Sequence, residues 1–257
     1  MDPGCLEIAR LALACLDLTS LNDHDDAAAI DALCAHAVTP HGVVAAVCVW
    51  PRFVARARAA LPPAVRVAAV ANFPHGALDV GAALADCATI AAAGGDEIDL
   101  VLPWRAWVGG DRASCAALVA AVRRTHPSLT LKLILESGEL RDEALIAAAA
   151  TMALDEGVDF LKTSTGKTPV SATPTAARTM LAAIAAHPRR AEAGFKASGG
   201  IRTVADAAVY IALVREVLGA DAATPRRLRF GASGLLGDIE AVLAGQGAGN
   251  TAPAGTY

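Results

Sequence analysis

Asp159-Phe-Leu-Lys-Thr-Ser-Thr-Gly-Lys167 reads as a short strand, Asp159–Thr163, that opens into a loop of hydroxyls, glycine and lysine. A helix start follows at Thr173-Pro174, with proline at the first helical position. The same unit, a short apolar run and then a helix, repeats in both directions. Before it lie runs at Cys15–Ser20, Val43–Val49, Arg66–Ala71, Glu97–Leu102 and Leu129–Glu136; after it come Gly194–Ser198 and Leu228–Ala232. Helical patterns separate them. They run from about Leu6 to Ala14, from a cap at Asn22 or Asp23 along a face of Ile30, Leu33 and Cys34, and from Arg52 to Leu61. Others extend from after Asn72-Phe-Pro-His-Gly76 to about Ala93, from about Asp111 to Thr125, from Glu139 to Glu156, and from Thr173-Pro174 to about Ala186. Thr203-Val-Ala-Asp206 fits a capping box for a helix to Leu218, and one more helix precedes the C-terminal tail. Eight apolar strands separated by helices predict an α/β fold, a single-domain (β/α)8 TIM barrel over residues 1–257 with an extra N-terminal helix and a flexible tail at 245–257. An open doubly wound sheet would need a glycine-rich turn after its first strand, and Asp17-Leu-Thr-Ser-Leu21 is not one.

Composition narrows the function. The chain is 54% hydrophobic but only 4% aromatic, so Ala, Val, Leu and Ile build its core. A net charge of -4, with no basic stripe, argues against a nucleic-acid partner. No apolar run is long enough for a membrane span, and Asp2 and Glu7 stand where a signal peptide needs positive charge. Six cysteines without a CxxC pair imply free thiols in a reducing cytoplasm. The few, scattered histidines suggest no metal site, and no cofactor is expected.

The lysines carry the chemistry. Only four occur, Lys132, Lys162, Lys167 and Lys196, in a chain that otherwise uses arginine for positive charge. Arginine stays protonated, whereas a lysine beside another cation or out of water can become a neutral nucleophile. Asp17, Asp99, Lys162 and Lys196 fall on strands one, four, six and seven, which barrel closure can bring together. Two ammonium groups about 4 Å apart repel by about 4 kcal/mol at an effective dielectric near 20. That is equivalent to roughly three pKa units. One amine would then attack a carbonyl while the other holds down its pKa, with Asp99 moving protons. A purely structural ion-pair cluster is the competing reading.

Three glycine-containing strand ends offer a phosphate cradle: Thr165-Gly166-Lys167, Gly199-Gly200-Ile201-Arg202 and Gly231-Ala232-Ser233. Gly166-Lys167-Thr168 imitates a Walker ending, but Leu161 occupies the required first glycine, which excludes a P-loop. The terminal Tyr257 is a phenol that can reach a pocket as a proton donor, whereas Cys48 reads as a buried structural thiol.

Together these motifs resemble the deoxyribose-phosphate aldolases, class I Schiff-base barrel enzymes. The likeness runs from about Leu6 to Leu236 and rests on Leu16–Asn22, Asn72–Gly76, Asp96–Asp99, Phe160–Lys167, Gly194–Lys196, Gly199–Thr203 and Arg229–Ser233. It implies reversible cleavage of 2-deoxy-D-ribose 5-phosphate to glyceraldehyde 3-phosphate and acetaldehyde, in deoxynucleoside catabolism. In that comparison Lys162 matches the Schiff-base lysine, Lys196 its perturbing partner, Asp99 the proton-transfer acid and Tyr257 a C-terminal proton relay. Lys167, Gly199, Gly200, Arg202, Gly231 and Ser233 fall on the phosphate side, and Asp17 is expected among the substrate-side groups. A cytoplasmic homodimer is also implied. Gly234, Ala197-Ser198 and Trp104 depart from the family pattern without removing a catalytic group. Two further readings keep the same residues: a Schiff-base aldolase for another aldose, and a silent sugar-phosphate sensor.

Overall fold

The computed structural model describes residues 3–245. Eight parallel strands close into a barrel: β1 (Leu16–Thr19), β2 (Ala46–Val49), β3 (Arg66–Ala71), β4 (Glu97–Val101), β5 (Thr130–Ile134), β6 (Phe160–Lys162), β7 (Gly194–Ser198) and β8 (Leu228–Ala232). Neighbours pair in chain order, and β1 closes the ring on β8 with Asp17 opposite Gly231. Every residue of β1, β2, β4, β6, β7 and β8 is buried. These strands are therefore apolar on the helix side and filled with side chains on the barrel side, as a parallel sheet covered on both faces requires.

The main core lies between strands and helices and consists largely of Ala, Val, Leu and Ile, with Trp107 and Phe195 among its largest members. A smaller apolar cluster, Leu21, Ala46, Cys48, Ala68 and Val70, lines the β1–β3 side of the interior, with Trp50 and Phe73 packed against it. The predicted N-terminal helix is Pro3–Ala14, and it lies against the last two helices. The capping box at Thr203 and Asp206 is present and starts the helix Val204–Leu218.

Several predicted elements are cut differently. The Val43–Val49 run is not one strand: Gly42–Val43 pairs with Val38–Thr39 in a two-stranded ribbon, and only Ala46–Val49 enters the barrel. The turn between them is fixed by Val44 N–H donating to the Ala37 carbonyl at 3.1 Å and Ala45 N–H to that of Leu16 at 2.9 Å. The second helix, Ala27–His36, is capped by Asp26, whose Oδ1 accepts from Ala29 N–H at 2.9 Å. Asn22, the expected cap, is held by Asp25 in the preceding loop. Arg141, with φ 58°, breaks the predicted Glu139–Glu156 helix into Ser137–Leu140 and Glu143–Asp155. A short helix at Trp104–Val108 was not anticipated. The proposed tail, with Tyr257, lies outside the described residues apart from Gly245.

Candidate active site

Side chains alternate along a strand, and neighbouring parallel strands in register turn the same way. The register sets Lys162 on β6 opposite Lys196 on β7, Lys196 opposite Arg229 on β8, and Asp99 on β4 opposite Lys132 on β5. All point into the barrel, so closure gathers charges that are up to 212 residues apart in the chain.

Asp99 and Asp17 tie the cluster together. Asp99 Oδ2 accepts from Lys162 Nζ at 2.7 Å and from Lys196 Nζ at 2.8 Å, while its Oδ1 accepts from Lys132 Nζ at 2.8 Å. Asp17 Oδ2 accepts from Lys196 Nζ at 2.5 Å and Oδ1 from Arg229 Nη1 at 2.6 Å. Below them Glu97 pairs with Lys132 at 2.5 Å and with Arg229 at 3.0 Å. The four residues expected to meet, Asp17, Asp99, Lys162 and Lys196, do meet. Sequence reasoning missed Glu97 and Arg229 and gave Lys132 no role.

The charge balance singles out one amine. Among the described residues, three carboxylates (Asp17, Glu97, Asp99) face four cations (Lys132, Lys162, Lys196, Arg229) in the buried interior. Among the described residues, Lys132, Lys196 and Arg229 each contact at least two carboxylates, whereas Lys162 contacts only Asp99. Lys162 is therefore the group that can lose its proton at least cost. Burial draws its pKa below the ordinary lysine value; Asp99 opposes this, and the Lys196 charge reinforces it. The expected like-charge repulsion thus acts in the expected direction, but desolvation leads. Lys196 goes the other way: burial disfavours its charge, yet Asp17 and Asp99 outweigh burial and hold it as an ammonium. Burial alone would raise Asp99, but Lys132, Lys162 and Lys196 keep its carboxyl well below the usual range. Cys48 Sγ lies 3.9 Å from Asp99 Oδ2, and burial pushes the thiol up to about 11, which leaves it protonated and inert as a nucleophile.

The remaining expected residues are placed as follows. Asp17 is fully buried, and its two oxygens accept from Lys196 and Arg229. Gly231 is buried beside it, and a Cβ there would stand 2.5 Å from Ser198 Oγ and 3.0 Å from Lys196 Cε; the missing side chain leaves a path for the lysine stem. Gly199 and Gly200 form a left-handed turn after β7, with φ 83° and 80°. Arg202 is exposed at the end of that turn, and its N–H donates to Asp206 Oδ2 at 3.0 Å. Ser233 is half-buried in the β8 loop. Lys167 crosses the barrel mouth, and its ammonium donates to the Leu21 carbonyl at 2.9 Å. Glu136, another residue without an assigned role, is fully buried at the end of β5 and binds the loop after β6.

A buried lysine pair sharing one carboxylate at the C-terminal ends of barrel strands is suited to imine chemistry on a carbonyl substrate. Residues 11–235 match the family described as DeoC/LacD family aldolase. The chain belongs to that family. The aldolase is 47% identical over 242 residues to the deoxyribose-phosphate aldolase of Agrobacterium fabrum, with 93% of each chain covered. A crystal structure from Coccidioides immitis assigned to the deoxyribose-phosphate aldolases superposes with a TM-score of 0.79 at 29% identity, covering 91% of this chain and 86% of that one. One from Toxoplasma gondii with the same assignment gives a TM-score of 0.85 at 24% identity, covering 94% of this chain and 96% of that one, and that likeness concerns the fold.

Proposed function

We propose that this aldolase reversibly cleaves 2-deoxy-D-ribose 5-phosphate into glyceraldehyde 3-phosphate and acetaldehyde through a Schiff base on Lys162. The observation that carries the reading is the shared Asp99 oxygen, 2.7 Å from Lys162 Nζ and 2.8 Å from Lys196 Nζ, in a cluster where Lys162 is the surplus cation. Neutral Lys162 attacks C1 of the open-chain sugar. Lys196 supplies a proton to the carbinolamine hydroxyl, Asp99 accepts one from nitrogen, and water leaves. Asp99 passes the nitrogen proton back to Lys196, 2.8 Å away, and the iminium then draws in the electrons of the C2–C3 bond as the C3 hydroxyl gives its proton to Asp99. The three-carbon aldehyde departs and leaves an enamine. Protonation of C2, for which Tyr257 is the candidate donor by family resemblance, and hydrolysis release acetaldehyde and restore Lys162.

The apolar patch of Leu21, Cys48 and Val70 suits the two-carbon fragment, which has no hydroxyl to satisfy. Lys167, Arg202, Ser233 and the Gly199-Gly200 turn are proposed to hold the phosphate at the mouth. On the same resemblance we propose a homodimer acting in the cytoplasm; among the described residues no helix is long and apolar enough to cross a membrane. Acetaldehyde release from 2-deoxyribose 5-phosphate and from 2-deoxyribose, measured side by side, tests the substrate. The phosphorylated sugar is expected to give the higher kcat/KM by at least about 100-fold, the scale of two or three charge-assisted hydrogen bonds. Equal turnover of both, or binding without acetaldehyde release, would refute it.

A further inference from the structure

Glu136 is a buried carboxylate that the imine chemistry does not use. Among the described residues no Lys, Arg or His lies within ion-pair distance of it, which is costly for a buried acid. Among the described residues its side-chain bonds all run into the loop that follows β6. Oε2 accepts from Thr165 Oγ1 at 2.5 Å, and Oε1 accepts from Thr165 N–H and from Thr168 Oγ1, both at 3.2 Å. Thr165 Oγ1 in turn accepts from the N–H of Lys167 at 3.0 Å. The Thr165 hydroxyl therefore links the carboxylate to the backbone of the next lysine, across the left-handed Gly166 (φ 80°).

The backbone around Glu136 is fitted to this task. It sits in the left-handed region at φ 56°, an uncommon conformation for a non-glycine residue. Two residues on, Gly138 packs so closely on the loop that a Cβ would overlap the Val170 carbonyl. On the other side of the loop, a Cβ on Gly199 would stand 2.5 Å from Ser171 Oγ. The loop is clamped between the β5 and β7 ends, and the carboxylate is the polar half of that clamp.

We infer that Glu136 is a positioning residue that, through Thr165, holds the Thr165–Lys167 turn so that Lys167 can meet the substrate phosphate. This rests on the proposed phosphorylated substrate. Among the described residues Glu136 shares no hydrogen bond or ion pair with Lys162, although the Lys162 charge does act on its carboxyl, so the loss is expected to fall mainly on phosphate affinity.

The test is Glu136→Gln, which offers one acceptor where the carboxylate offers two, assayed on 2-deoxyribose 5-phosphate and on 2-deoxyribose. KM for the phosphorylated sugar is expected to rise roughly 10- to 100-fold, the scale of one hydrogen bond to a charged group. Kinetics on the unphosphorylated sugar should stay within about twofold, and borohydride trapping of acetaldehyde on Lys162 should persist. Thr165→Val should likewise raise KM for the phosphorylated sugar, and the double variant should raise it no further than the larger single effect, because both cut the same link. Equal losses on both sugars, or additive effects of the two substitutions, would overturn the inference. If the unsubstituted enzyme shows no preference for the phosphate, the substrate reading falls and this inference with it.

Discussion

Lys162 and Lys196 have the same side chain and are both buried, yet their pKa values move in opposite directions: burial lowers that of Lys162, which touches Asp99, whereas Asp17 and Asp99 together outweigh burial and raise that of Lys196. This asymmetry makes a sharp prediction for Lys196→Leu. The substitution removes a repelling charge from Lys162 and frees Asp99 to attract it more strongly, and both changes raise the Lys162 pKa. The acid limb of kcat/KM, where activity appears as Lys162 loses its proton, should move to higher pH by about one unit or more, with kcat reduced by roughly 100-fold or more. A pH–rate profile measures this; an unshifted acid limb would mean that Lys196 does not tune the nucleophile. At this scale the sequence was informative where a charge interrupted an apolar run, as at Asp17, Asp99, Lys162 and Lys196. Glu97 and Arg229 escaped because they sit near strand starts, where polar residues are ordinary. Two-residue spacing from Asp99 and Gly231 places them on the same inward face. Glu136 left no such signal, since its role depends on a left-handed turn that the sequence does not announce.

Among the elements, β6 and β7 must align closely, because their register brings the two lysines together. Phe160 lies opposite Gly194, and its ring occupies the space where a side chain would project: a Cβ on Gly194 would stand only 2.6 Å from the Phe160 Cδ1. Gly194→Ala should therefore cost about 1–3 kcal/mol by overpacking. For a chain of this size that lowers Tm by about 2–4 °C per kcal/mol. A thermal melt checks it, and an unchanged Tm would mean that the ring relocates freely. The β3, β7 and β8 bounds agree with the sequence to the residue, as does the helix behind the Thr203 capping box, because their ends are marked by glycine, proline or a cap. The ribbon before β2 and the break at Arg141 were hidden because the residues there are compatible with the longer element; tertiary hydrogen bonds decide the cut.

For the molecule as a whole, closure of the barrel turns scattered strand residues into a site: the seam between β1 and β8 places Arg229 Nη1 2.6 Å from Asp17 Oδ1, and Asp17 in turn steadies Lys196. The fold was legible because eight strand–helix units leave few alternatives, whereas a network joining six strands across the interior is a property of the closed ring. That ring lowers the pKa of one amine, Lys162, and the proposed reaction needs it as the nucleophile. Incubating the protein with acetaldehyde, reducing with borohydride, and mapping the added ethyl group by mass spectrometry tests it directly. Modification confined to Lys162, and abolished in Lys162→Leu, is the expected result. Dominant labelling of Lys196 would reverse the two assignments, and no site-selective labelling of the folded protein would contradict imine catalysis altogether.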